Sequence, residues 1–160
     1  MTAKRKPDVS VLAKGEAMRG LYEADMHLWA QEQAALLRAG NFAVADMDNI
    51  IEEIESLART ERRDLVSRLA VVLLHLLKWQ FQPAKRTRSW ELSIKEHRRE
   101  LAIHLRDNPS LKSYLAEATG DAYSLALIKA QRETRLAESA FPATCPYPNR
   151  QIMDNGFWPQ

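Results

Sequence analysis

The sequence predicts an all-α protein, a bundle of about four main helices around one long central helix. Apolar residues recur three and four positions apart along most of the chain, which is the spacing of a helix with one buried face. Helix-ending residues separate these periodic stretches, namely Gly40, Pro83 and Pro109. The apolar run Leu69–Leu77 joins a longer helical pattern and shows no strand-like alternation. A chain of 160 residues, 46% of them hydrophobic, suits one globular domain with a real core.

The start of the chain differs in character from the rest. We expect residues 1–15 to form a flexible basic tail and residues 16–160 to form a single helical domain. The tail carries Lys4, Arg5 and Lys6 and shows no apolar periodicity. Because no apolar stretch follows these cations, a secretory signal is not expected.

The first helix is expected to run from Glu16 or Met18 to Ala39. Gly40 follows it and supplies the left-handed residue that commonly ends a helix. Its buried stripe is expected to comprise Tyr22, Met26, Trp29, Leu36 and Leu37.

The second helix is the long one. Asp46 or Asp48 is its expected N-cap, since a carboxylate there accepts an otherwise unpaired backbone N–H. The helix should continue to about Phe81, roughly 34 residues and about 50 Å at 1.5 Å per residue. From Leu69 to Leu77 nearly every position is apolar, so we expect cover on all sides, from other helices or from a second subunit. Its apolar stripe comprises Ile50, Ile54, Leu57, Leu65, Leu69, Val72 and Leu76.

Two further helices and a proline-rich segment complete the prediction. Pro83 ends the second helix, and the third is expected to run from a cap at Ser89 to about Arg106. The fourth should start at a Ser110 cap and end at about residues 135–138. The Pro-rich C-terminal segment, residues 141–160, is too apolar for a free tail, so we expect it to pack back on the bundle, with a short helix at 149–153.

Four motifs, in order along the chain, resemble one known family. They are Leu21-Tyr22-Glu23-Ala24-Asp25 with Leu28-Trp29, Asp48-Asn49-Ile50-Ile51-Glu52-Glu53-Ile54-Glu55, His75-Leu76-Leu77-Lys78-Trp79-Gln80-Phe81-Gln82-Pro83 with Arg88-Ser89-Trp90, and Phe141-Pro142 with Cys145-Pro146-Tyr147. Together they look like the bacterial "domain of unknown function 29" family over roughly residues 20–158. The resemblance implies an all-helical bacterial protein, and it implies no activity, substrate or catalytic residue.

Charge is distributed unevenly along the chain, although the net charge of +2 is too small to imply a polyanionic partner. Glu16 to Asp64 holds 11 acidic and 5 basic residues, whereas Lys78 to Lys112 holds 9 basic and 4 acidic. The apolar stretch Leu69–Leu77 is called the girdle below. Together with the charge asymmetry, it leads to our first hypothesis, a small cytoplasmic interaction or scaffold protein that self-associates through helical surfaces. The single cysteine is compatible with a reducing cytosol.

A second hypothesis is a nucleic-acid-binding module that uses the basic and aromatic hairpin turn at residues 78–99. Cations interleaved with aromatic rings can bind phosphates and stack bases. The structural alternative is that the rings cover the end of the bundle core. The cations would then pair with the acidic residues of Glu16 to Asp64, within one molecule or between two. The candidate partner-binding residues are Lys78, Trp79, Lys85, Arg86, Arg88 and Trp90.

A third hypothesis is a metal-binding or enzymatic helical bundle that uses the four histidines. Di-iron bundles carry Glu-x-x-His motifs, but no histidine here has Glu or Asp three positions before it. Cys145 is expected to be a packed side chain. The sequence therefore identifies no catalytic, cofactor-binding or metal-ligating residue and predicts no cofactor. No membrane partner is expected either, because the longest apolar run is far short of the roughly 20 residues of a membrane span.

Overall fold

The computed structural model describes the backbone of residues 9–160 and the side chains of residues 13–160. All regular secondary structure in this range is helical, which confirms the predicted all-α class. The α-helices are α1 (Val9–Ala24), α2 (Met26–Arg38), α3 (Met47–Phe81), α4 (Arg88–Asp107), α5 (Leu115–Thr134) and α6 (Asn149–Met153). Short 3₁₀ turns lie at Pro83–Lys85, Pro109–Tyr114 and Glu138–Ala140.

The chain separates into two compact units. The first extends to Ala58 and the second is Arg59–Gln160, so the long helix α3 passes from one into the other. The predicted long helix is confirmed at 35 residues, Met47–Phe81. The single helical domain from residue 16 onward stays a prediction.

In the first unit, the single helix predicted from residue 16 to Ala39 is wrong, because α1 and α2 are separate helices. The chain breaks at Asp25, whose carboxylate accepts a hydrogen bond from the backbone N–H of Leu28 at 3.0 Å. Such a cap starts a new helix and competes with continuing the old one. Helix α1 already begins at Val9, so residues 9–15 of the predicted tail are helical, and residues 1–8 lie outside the described range. The left-handed Gly40 is confirmed, with φ +72°.

Asp46 occupies the cap position of α3, as predicted, but its carboxylate is used differently. Its carbonyl accepts the N–H of Ile50, which begins the helix. The carboxylate Oδ2 instead accepts Trp29 Nε1 at 3.3 Å and Asn49 Nδ2 at 2.7 Å. The acidic cap therefore links the start of α3 to α2.

The second unit contains the main core, built around the rear half of α3. Helix α4 runs antiparallel to it, because Glu61 contacts His104 while Lys78 contacts Trp90. The girdle is covered by helices of its own chain, so a second subunit is not needed to bury it. Its buried members are Leu69, Ala70, Val72, Leu73, Leu74, Leu76 and Leu77.

The two predicted helix starts in this unit shift by a few residues. Helix α4 begins one residue before Ser89, because Thr87 Oγ1 is the cap and accepts the N–H of Trp90 at 3.3 Å. The predicted cap at Ser110 is wrong, since Pro109–Tyr114 is a 3₁₀ turn and α5 begins at Leu115. Proline suits such an opening turn because it has a fixed φ and no N–H to satisfy.

The C-terminal segment packs back on the second unit, as predicted. Phe141, Tyr147 and Ile152 are buried in the same core as α3, α4 and α5. Tyr147 donates its hydroxyl to Gln80 Oε1 at 2.6 Å, and Tyr123 donates to the carbonyl of Pro142 at 2.6 Å. The short helix Asn149–Met153 has the predicted bounds.

Candidate interaction surface

Lys78 and Trp90, two of the predicted partner-binding residues, have partners within the second unit. Lys78 Nζ lies 2.7 Å from Glu133 Oε2, and its side chain is only 13% exposed. The same ammonium lies 4.6 Å from the centre of the Trp90 ring. These contacts connect α3 with α4 and α5, so both side chains have structural roles.

Trp79 and Arg86 hold the end of the chain. Arg86 donates from Nε to the Trp79 carbonyl at 2.8 Å and from a terminal nitrogen to the Pro159 carbonyl at 3.4 Å. The Trp79 ring lies 4.8 Å from the Trp158 ring, between centres. Arg86 and the Trp79 ring therefore both contact the C-terminal segment.

Lys85 and Arg88 remain exposed. Among the residues that the structure describes, the Lys85 side chain has no hydrogen-bond or ion-pair partner. Arg88 is close enough to Glu91 to help lower the pKa of that carboxyl, although Lys95, hydrogen-bonded to it, is the main cause. Of the six predicted residues, Lys85 and Arg88 thus have positively charged side chains that a partner could reach, and their role stays a prediction.

Arg98, which the sequence places in the same basic stretch, is buried at 1% exposure. It donates three hydrogen bonds to backbone carbonyls, those of Ile152 at 2.8 Å, Phe157 at 3.0 Å and Gln151 at 3.1 Å. Burial lowers the pKa of its guanidinium. A sequence signal for this burial exists, because Arg98 stands four residues after Ile94, on the inner stripe of α4.

The first unit carries an apolar groove between α2 and the front of α3. Its volume is about 260 Å³. Ile54 and Leu57, which belong to the predicted apolar stripe of the long helix, are not covered here, because their side chains are 61% and 69% exposed. The groove is lined by Trp29, Ala30, Gln33, Ala34, Leu37, Ile50, Glu53, Ile54 and Leu57.

Hydrogen bonds fix the walls of this groove. Gln33 Oε1, on α2, accepts the backbone N–H of Asp46 at 2.8 Å, and both residues are buried. Tyr22 donates to Glu53 Oε1 at 2.6 Å, and this bond is the main cause that raises the pKa of Tyr22 to about 12. The Tyr22 ring also packs edge-on against Trp29, 4.9 Å between centres. The groove is therefore preformed rather than created by a ligand.

Apolar exposure continues around the groove. Met47 and Ile51 on α3 and Phe42 before it are also exposed. Contiguous exposed apolar residues with a polar rim typically mark a binding surface. The part of the chain that builds the groove is rich in acidic residues, since residues 13–58 contain nine acidic and three basic side chains, and the charged residue in the groove lining is Glu53. The sequence alone does not reveal this surface, because periodicity shows which helix face is apolar but not whether anything covers it.

Depressions larger than the groove lie in the second unit, and two of them are lined by arginine side chains. One, of about 490 Å³, lies between α3 and α5, where the Arg62 guanidinium stacks 3.7 Å from the centre of the Tyr114 ring. The other, of about 480 Å³, contains Glu61, Arg68 and His104 among its polar lining. His104 Nε2 already lies 3.2 Å from the Glu61 carbonyl. In each depression, polar side chains of the lining thus already contact other residues of the second unit.

The histidines and the cysteine have local contacts. His75 Nδ1 lies 2.8 Å from the Val71 carbonyl, and burial lowers the pKa of its imidazole. The His75 and His97 rings lie 5.4 Å apart. Cys145 is half-buried, and burial raises the pKa of its thiol. Within residues 13–160, no three His, Cys, Asp or Glu side chains are grouped so that they could hold a metal ion.

Fold and surface together define a class: an all-helical protein whose buried polar groups mostly pair internally and whose first unit presents an open apolar groove. The chain belongs to the family described as domain of unknown function DUF29, which matches residues 21–158, and the resemblance of its motifs is thereby confirmed. No curated protein and no solved structure matches the chain. None of the helices in the described range is both long and apolar enough to cross a membrane.

Proposed function

We propose that this chain is a cytoplasmic helical interaction protein that self-associates, and that the groove of the first unit is its binding surface. One observation carries the proposal: Ile54 and Leu57 are more than half exposed on a preformed apolar groove. Covering a large apolar side chain stabilises a complex by about 1.5–3 kcal/mol. The two residues are therefore the expected anchors of an interface. A single free cysteine is compatible with a reducing compartment.

The groove supports a protein partner better than the basic turn supports nucleic acid. Of the four cations proposed for the turn, Lys78 and Arg86 are engaged within the second unit. Within residues 78–99, nucleic-acid binding would then draw mainly on Lys85, Arg88 and Arg99, which is few cations for the phosphate contacts that dominate such affinity.

The test is the mass of the protein in solution, measured by size exclusion with light scattering over a wide concentration range. Wild-type protein should exceed the 18.3 kDa of one chain as concentration rises. The double substitution Ile54→Glu with Leu57→Glu places charge in the groove and should return the mass to that of one chain.

A matched control is available on another helix. Ile128 on α5 is 64% exposed and lies outside the groove, so Ile128→Glu should leave association unchanged. Wild-type protein with the mass of a single chain at the highest concentration would contradict the proposal.

A further inference from the structure

Helix α4 carries a second exposed surface, of the opposite charge. Arg88, Leu92, Arg99, Ile103 and Arg106 follow one another at spacings of four, seven, four and three residues. This spacing places them along one line of the helix. All five are exposed, Leu92 at 51% and Ile103 at 37%. The exposed Glu96, four residues after Leu92 and three before Arg99, lies beside the same line. We call this line the α4 ridge: two apolar side chains set among three arginines, with one glutamate at its edge.

The cations of the α4 ridge are largely available. Arg106 forms an ion pair with Asp107 at 2.9 Å. The Arg99 side chain, in contrast, has no hydrogen-bond or ion-pair partner among residues 13–160. Arg99 lies between Leu92 and Ile103 along the helix. A partner that covers these two apolar side chains would therefore also contact the Arg99 guanidinium.

We propose that the groove of one copy receives the α4 ridge of a second copy, so that self-association is head-to-tail. The charges are complementary, because the groove lies in the acidic part of the chain and the α4 ridge in the basic part. The lengths also agree at 1.5 Å per residue. Met47 to Leu57 spans about 15 Å of α3, and Leu92 to Ile103 spans about 16 Å of α4. This inference rests on the proposed function and names the surface that fills the groove.

Two other arrangements fit the charges less well. A two-fold pairing of groove with groove would bring one acidic surface against another, and like charges facing each other disfavour an interface. The exposed apolar residues of α5, Leu125 and Ile128, lie on a helix face that also carries Glu117 and Asp121. That face offers no excess of positive charge to an acidic groove.

Head-to-tail contact makes a specific prediction for mixtures. The groove variant is Ile54→Glu with Leu57→Glu, and the ridge variant is Leu92→Glu with Arg99→Glu. Each alone should have the mass of one chain, because each lacks one half of the contact. An equimolar mixture should form a 1:1 dimer, because the ridge of the groove variant still fits the groove of the ridge variant. The measurement is size exclusion with light scattering.

Two controls accompany the mixture. Ile128→Glu with Arg132→Glu makes the same kinds of change on α5 and should associate as wild type does. Far-UV circular dichroism checks that each variant is helical. If the ridge variant fails to fold, the milder Leu92→Ala with Arg99→Ala should still weaken association at least tenfold at low salt, where exposed charges are least screened.

The outcomes separate the two proposals. A wild-type protein that never exceeds one chain would overturn both. A folded ridge variant that associates like wild type, or a mixture that gives no dimer, would overturn the head-to-tail contact and leave self-association standing. Retention on immobilised single-stranded DNA that the ridge variant loses, with association unchanged, would assign the α4 ridge to nucleic acid and also overturn the contact.

Discussion

Arg98 shows how one buried charge is stabilised without an acidic partner in hydrogen-bond contact. Its guanidinium donates to three carbonyls of the C-terminal segment, at Gln151, Ile152 and Phe157. Its planar fork of donors suits several acceptors at once, which a single ammonium group does not. The arginine therefore supplies the donor for the Ile152 and Phe157 carbonyls, whereas the Gln151 carbonyl also accepts the N–H of Asp154 at 3.3 Å.

We expect Arg98→Met to lower the free energy of unfolding by about 3 kcal/mol, because charge-assisted hydrogen bonds are lost and buried carbonyls stay unpaired. Arg98→Lys should also destabilise, since one ammonium cannot reproduce the three contacts. The neighbouring Arg99 is exposed, and Arg99→Lys should change stability by less than about 0.5 kcal/mol. Urea unfolding followed by circular dichroism measures all three, and equal stability of Arg98→Met and wild type would disprove the role.

At the scale of the element, α3 is one continuous helix with two different environments. Its rear half is enclosed by the core of the second unit, and Leu73 there has no exposed surface. Its front half lines the groove, where Leu57 is largely exposed. The same residue type on the same helix therefore has a different energetic role in each half.

Leu73→Ala should cost about 2–5 kcal/mol of unfolding free energy, because a buried side chain leaves a cavity. Leu57→Ala should cost less than about 0.5 kcal/mol at a protein concentration where the chain is monomeric. Urea midpoints of the two variants, measured at low concentration, test the difference. A large loss of stability in Leu57→Ala would mean that this side chain is covered within the monomer.

The sequence predicted where the helices begin and end better than it predicted which of their side chains are covered. Periodicity, the expected cap at Asp46 or Asp48 and the break at Pro83 placed both ends of α3 within a residue or so. The break at Asp25 was missed because a side-chain cap leaves the apolar spacing on both sides of it unchanged. Exposure of the groove was also missed, since periodicity does not show whether another element covers an apolar helix face. Arg98 could have been assigned to the interior from its place on the stripe of α4.

For the whole molecule, burial is uneven between the two units. Among the side chains that the structure describes, the first unit buries only Trp29 and Ile50 as apolar core, and every other buried apolar side chain belongs to the second unit. Few buried apolar contacts give a region a low free energy of local opening. We therefore expect the first unit, which carries the apolar groove, to be the less stable of the two.

We expect the backbone amides of α2 and of residues 47–58 to exchange with solvent faster than those of Leu69–Leu77. Raising the protein concentration should slow exchange in α2 and residues 47–58, because association covers the groove and stabilises the unit. Native-state hydrogen exchange read by mass spectrometry measures both effects. Equal protection of the two regions in dilute protein would contradict the assignment of a weaker first unit.

The contacts of the C-terminal segment also determine when the second unit can fold during synthesis. Arg98 and Arg86 find carbonyl partners 54 and 73 residues later in the chain, at Ile152 and Pro159. At about 5–20 residues per second, a ribosome needs on the order of 3–15 s to produce those partners. Throughout that interval the nascent chain contains α3 and the start of α4, but it lacks the groups that complete their packing. The most stable part of this protein is therefore the part that completes its folding last.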